Sequence, residues 1–236
     1  MRPCPSIEDM ALIHRAQLRP SKLELLEPWL RTRSWFTGDP TAPLTSAGAY
    51  RFDDPAGEVG IETLLVRAGD GPVLQVPLTY RDAPLEGGDA WLIGTMEHSV
   101  LGRRWTYDAV GDPAYIAALA TTILRGGTQA DEFVDVDGVL VFRESTATVA
   151  GSGTADAPTP ALPSMTVLST RDEPGSTVVE FGSLRFVVLR APTSPAAEPI
   201  ALAAGTTAGG VPEHLSGTWA DQPQPSILAI AVAVAL

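Results

Sequence analysis

The sequence predicts an α+β protein in two parts, an N-terminal half of antiparallel hairpins with two helices and a smaller, mostly β C-terminal part. Three observations carry this. Apolar runs alternate with polar residues and turn back at Gly- and Asp-rich dipeptides, as hairpins do. Two segments instead space their apolar residues as a helix does, between recognisable cap residues. Residues 146–163, "TATVAGSGTADAPTPALP", are rich in Ala, Gly, Ser, Thr and Pro and read as a linker. The expected organisation is therefore residues 1–145, a linker over 146–163, and residues 164–236.

The first helix is "SKLELLEPWL". Ser21 can cap it, Glu24 stands three residues on as in a capping box, and Leu23, Leu26 and Leu30 recur at helical spacing. Pro28 is expected to bend or end it. Strands follow from Ala49. "VGIETLLVRAGDGPVLQVPLTYRD" reads as a long hairpin turning at Gly69, Asp70 and Gly71, and "WLIGTMEHSVLGRRWTYDAV" as a second turning within 99–102. Asp112 and Pro113 then open a helix whose one face is Ile116, Leu119, Ala120, Ile123 and Leu124, stopped by Gly126 and Gly127. "EFVDVDGVLVFRE" is a third hairpin, with Asp137 and Gly138 supplying the positive φ angles of a tight turn. Beyond the linker, strands are expected near 165–169, 177–181, 184–190, 214–220 and 226–234, with Gly182-Ser183 as a two-residue turn and an Ala-rich stretch at 198–204.

Composition excludes several classes. With 44% hydrophobic and 19% charged residues the chain is globular, and a net charge of −12 disfavours nucleic acid or anionic membrane as a partner. Cys4 is the only cysteine, so no internal disulfide or cysteine-rich zinc site is expected. No signal-peptide pattern opens the sequence, and the longest apolar run, 227–236, is about half the ~20 residues a spanning helix needs. A cytoplasmic location is the expectation.

Catalytic signals are sparse. His14, His98 and His214 lie far apart and lack a nucleophile pattern, and no Gly-rich phosphate loop precedes a helix. Asp135 and Asp137 alternate along a strand as solvent-facing acids do, so no metal site is expected. No catalytic residue and no cofactor is assigned. Trp105 and Tyr107 share a strand face and Trp91 lies on the adjacent strand, so with Asp108 they form the candidate platform for a sugar ring. Lys22 is the only lysine among 16 basic residues.

The order of a helix, Arg33-x-Trp35-Phe36, antiparallel strands, Tyr107-Asp108-Ala109, a helix opened by Asp112-Pro113, and the Asp137-Gly138 hairpin resembles the N-terminal cap of bacterial maltokinases and of the related glucosamine kinases. Further on, "GSTVVEFGSLRFVVLR" is similar to the "SNTSVVFGD…LILKLFRR" hairpin of those enzymes, "SPAAEP" to "NPDLE", and "VPEHLSGTW" to "VPxLLGxL". The resemblance implies a cystatin-like cap of curved antiparallel sheet with packed helices, followed by a kinase N-lobe-like β domain. It also implies where chemistry has been lost. Val188 takes the place of the nucleotide-contacting lysine, Arg190 stands two residues along, and Glu198 takes the place of the glutamate that pairs with that lysine. After Trp35-Phe36 the family often has Gly-Lys, where this sequence has Thr37, Gly38 and Asp39. The sequence ends at Leu236, near where the hinge to a catalytic C-lobe is expected.

What the resemblance implies about function is a non-catalytic accessory or regulatory protein of α-glucan and trehalose metabolism, in which the family makes maltose 1-phosphate. A carbohydrate-binding module and the N-terminal half of a split ATP-dependent sugar kinase are the alternatives. The partners expected are a pathway enzyme, a separate kinase C-lobe protein, or a second copy of the chain. The strand "SILAIAVAV" is apolar on both faces, so an interface is expected around Ile227, Ile230 and Val232.

Overall fold

The computed structural model describes residues 11–13, 17–136, 139–157, 169–193 and 212–233. In chain order these form β1 (Ala11–Ile13), β2 (Leu18–Arg19), α1 (Lys22–Leu30), β3 (Leu44–Phe52), β4 (Gly60–Ala68), β5 (Leu74–Arg81), β6 (Leu92–His98) and β7 (Gly102–Asp108). Then come α2 (Pro113–Leu124), β8 (Glu132–Val136), β9 (Val139–Arg143), β10 (Ala147–Gly151), β11 (Ser169–Glu173), β12 (Ser176–Phe181), β13 (Leu184–Leu189), β14 (Glu213–Trp219) and β15 (Gln222–Ala233). The fold is thus mostly β, with two α-helices among the described residues.

Two six-stranded antiparallel sheets dominate, in the orders β2-β6-β7-β5-β4-β3 and β10-β14-β15-β13-β12-β11. A third, three-stranded sheet has β8 between β1 and β9. β4 and β5 are buried almost throughout, because the first sheet is covered on both faces. On one face Leu64, Val66, Leu74, Val76 and Leu78 pack with Leu26 and Leu30 of α1 and with Trp35. On the other, Tyr50, Ile61 and Leu65 meet Ile116, Leu119 and Ile123 of α2, and the same cluster continues into Val179, Phe186, Val188 and Leu228 of the second sheet. α2 therefore lies in a core to which both large sheets contribute.

The helix ends are as the sequence reads them. Ser21 accepts from Glu24 N at 3.3 Å while Ser21 N donates to Glu24 Oε2 at 2.8 Å, a complete capping box. Asp112 Oδ1 accepts from Ala114 N at 3.0 Å at the start of α2, with Pro113 in the first turn. Pro28 does not end α1, which runs on to Leu30.

The reading of residues 146–163 as a linker is corrected over its described part. Ala147–Gly151 is strand β10, in register with β14 from Ala147↔Trp219 to Gly151↔Leu215. The residues after it finish α2. Gly153 N donates to Ile123 O at 2.9 Å and Thr154 N to Leu124 O at 3.1 Å, satisfying carbonyls that the helix end leaves open. Arg125 Nη2 adds a bond to Ala155 O at 2.8 Å. Glycine is required here, since a Cβ on Gly153 would lie 2.0 Å from Leu124 O and one on Gly151 2.0 Å from Thr122 O. No helix among the described residues is long and apolar enough to cross a membrane.

Candidate functional site

β12 and β13 form the expected hairpin, closed by Gly182 at φ 59° with Phe181 opposite Leu184. Val188 sits opposite Thr177 on one side and Ala229 on the other, fully buried in the shared core. The strand thus offers an apolar side chain, closed to solvent, at the place where the resemblance requires an ammonium.

Arg190, just beyond β13, is also fully buried. Its Nη2 donates to Asp108 Oδ2 at 2.6 Å and its Nε to the Thr177 hydroxyl at 2.8 Å. The Thr177 hydroxyl in turn donates to Asp172 Oδ1 at 2.6 Å. The guanidinium lies over the Trp35 ring, 4.5 Å from its centroid, a cation–π contact strengthened by burial. Burial pushes the Asp108 carboxyl above its ordinary range, and the charge of Arg190 offsets this incompletely. Arg190 therefore spends its charge inside the protein, where it ties β13 to the end of β7.

Gln75 makes a second tie at this joint. Its side-chain amide donates to Leu189 O and Leu228 O, both at 2.9 Å, its Oε1 accepts from Tyr50 Oη at 3.1 Å, and its backbone N–H donates to Arg190 O at 2.8 Å. A buried amide with its hydrogen-bonding groups paired across two sheets is a fixed fastening, because any slip leaves polar atoms without partners.

Lys22 is committed elsewhere. Its Nζ lies 2.5 Å from Glu62 Oε2, the same oxygen accepts from Tyr80 Oη at 2.8 Å, and Arg51 Nη1 stands 3.9 Å from Glu62 Oε1. Burial pushes the Glu62 carboxyl up, but the charges of Lys22 and Arg51 and the two hydrogen bonds together outweigh it and hold the pKa below the usual value. The Tyr80 hydroxyl is pushed well up by burial and by Glu62. Gly38, where the family often has Gly-Lys, packs so closely that a Cβ would lie 2.6 Å from that of Ala68. Asp39 beside it accepts from Thr41, whose hydroxyl and backbone bonds lower its carboxyl pKa.

The candidate sugar platform does not assemble. Tyr107 is buried, with its hydroxyl accepting from Leu85 N at 2.8 Å, and Asp108 is held by Arg190. Trp91 is half-buried, its Nε1 donates to the Thr170 hydroxyl at 3.2 Å, and its ring lies against Gly111, where a Cβ would come within 2.1 Å. Trp105 is half-buried opposite Arg81. The reason is periodicity. Trp105 and Tyr107 do share a strand face, but at Tyr107 that face has passed under the core.

The expected interface is corrected likewise. Ile230 and Val232 are buried with Val178, Val187 and Leu189, and Ile227 is half-buried against them. Glu198, His14 and Asp137 lie outside the described residues, and among those described no group of three or more His, Cys, Asp or Glu could hold a metal ion. His98 Nδ1 accepts from Val100 N and Leu101 N at 3.2 and 3.0 Å, a local turn bond. Sequence reasoning missed Gln75, Thr177 and the carboxylate partner of Arg190, since a polar residue inside an apolar strand was the only signal they gave.

Residues 29–112 match the family model of the maltokinase N-terminal cap domain. Among solved structures, a glucosamine kinase in complex with glucosamine, ADP and inorganic phosphate is 21% identical with a TM-score of 0.41, over 92% of this chain and 41% of that one. The chain thus spans less than half the length of that kinase. Comparison with curated proteins gives no match. Trp35 and Asp108, which enclose Arg190, both fall inside the segment, residues 29–112, that is similar to the maltokinase N-terminal cap domain.

Proposed function

We propose that this protein is a non-catalytic accessory or regulatory relative of the maltokinase N-terminal lobe, acting in α-glucan and trehalose metabolism beside an enzyme that makes or uses maltose 1-phosphate. The cystatin-like form of its cap and a cytoplasmic location belong to the same reading. One observation carries the non-catalytic part: Arg190, two residues along from the place of the family's lysine on β13, is fully buried and paired with Asp108. Phosphoryl transfer rests on positioning and on positive charge aimed at the phosphates. The residues present do not fit that task, because Val188 is apolar, Arg190 is turned inward, and Lys22 is spent on Glu62. A guanidinium freed from Asp108 would also be a poor copy of an ammonium there.

Calorimetry with ATP and Mg²⁺, alongside phosphorylation assays with maltose and glucosamine, tests the reading. The expected result is no binding in the micromolar range and no turnover above a heat-inactivated control. Micromolar binding or measurable turnover contradicts it. The burial of Tyr107 and Asp108 weighs against the sugar-binding alternative, and the burial of Arg190 against the split kinase.

A further inference from the structure

One edge of the three-stranded sheet, β9, is apolar and exposed. In β9, Val139, Leu140, Val141 and Phe142 are 63, 37, 48 and 54% exposed, and Arg143 is exposed as well. Among the described residues β9 pairs only with β8, in the register Phe133↔Phe142, Val134↔Val141 and Val136↔Val139. Alternation puts Leu140 and Phe142 on one face and Val139 and Val141 on the other, so both faces of this edge are apolar. Phe133 extends the Phe142 face onto β8, with ring centroids 5.8 Å apart. By contrast the edge strand β11 carries Arg171, Asp172 and Glu173, the charges by which native sheets discourage further pairing.

We propose that β9 pairs antiparallel with β9 of a second copy of this chain, about a twofold axis at Val141, joining two three-stranded sheets into one of six strands. The strand is its own best complement. Pairing about Val141 sets Leu140 opposite Phe142 of the second copy, and apolar side chains then meet on both faces, as an isologous contact requires. Charge selects the antiparallel sense, since a parallel pair would set the two Arg143 side by side. The antiparallel pair instead carries the two Arg143 to opposite ends of the joined strands, each opposite Val139 of the other copy. In a chain of net charge −12, β9 itself holds no acid, so two copies approaching along this edge meet the least repulsion. Four apolar side chains on each copy fall well short of the ~800 Å² per partner of a standard interface, so the dimer is a weak, concentration-dependent one.

Sedimentation at concentrations from about 5 μM to about 0.5 mM, the range of weak dissociation constants, reads the association directly. The wild-type chain is expected to shift from monomer to dimer across this range. Val141→Lys, which sets two ammonium groups opposite each other, is expected to stay monomeric with an unchanged far-UV circular dichroism spectrum. Independently, Val141→Cys in a Cys4→Ser background should form an intermolecular disulfide under mild oxidation, because opposed residues in an antiparallel pair lie about 4.5–5.5 Å apart between Cα atoms. Val100→Cys, at an equally exposed apolar position on another hairpin, should not. A wild-type chain that stays monomeric throughout overturns the proposal and leaves the edge to a foreign strand. So does dimerisation that survives Val141→Lys, or crosslinking as ready at position 100 as at 141.

Discussion

Arg190 shows how one residue changes the meaning of a strand. Placed near a nucleotide it would be a ligand, but between Asp108, Thr177 and Trp35 it is a buried ion pair, and such a pair resists the loss of either partner. Arg190→Met should cost about 3–5 kcal/mol in urea unfolding by leaving a carboxylate buried without its counter-charge. The double variant Asp108→Asn, Arg190→Met should cost clearly less than the sum of the two single changes, as coupled residues do. Strict additivity would contradict the pairing. Glu62 gives a pH signature. Its folded pKa lies below the unfolded value of 4.5, so its contribution is complete above about pH 4.5 and is lost as the pH falls through the folded value. Melts of the wild type and Glu62→Gln should therefore differ by about 1.5–3 kcal/mol at neutral pH, with a gap that closes in acid. A gap that widens in acid would reverse the sign of the argument.

Elements with strong local signals were legible in the sequence. The capping box of α1, the Asp112-Pro113 start of α2 and the turns at Gly69 and Gly182 depend on neighbours in sequence, and the structure has them where the residues imply. β10 was not legible, because "GSG" carries the composition of a flexible linker. Those glycines serve a close approach to the end of α2, and composition does not separate freedom of the backbone from the need for a missing Cβ. Gly153→Ala should accordingly destabilise the protein by about 1–3 kcal/mol, the range of overpacking, where a true linker residue would tolerate it. Thermal unfolding of the variant decides between the two. The candidate site failed in the sequence for a related reason, since alternation identifies a face without saying where that face turns inward, and Tyr107 and Asp108 are buried where Trp105 is not.

At the scale of the whole molecule, the two large sheets share one core around α2 and are fastened by Gln75 and Arg190. Residues on both sides of the expected boundary at 146–163 belong to that core, so denaturant unfolding should be a single transition, with tryptophan fluorescence and far-UV circular dichroism coincident. Two separated transitions would restore the division into independent parts. The account turns on whether Arg190 is closed to ligand, and the side-chain Nε–H resonance of Arg190, assigned through the Arg190→Met variant, reports this directly. Burial and the bond to Thr177 predict slow hydrogen exchange and a signal that millimolar ATP with Mg²⁺ leaves in place. Fast exchange with solvent, or a shift on adding the nucleotide, would show that the cation is available and would contradict the account.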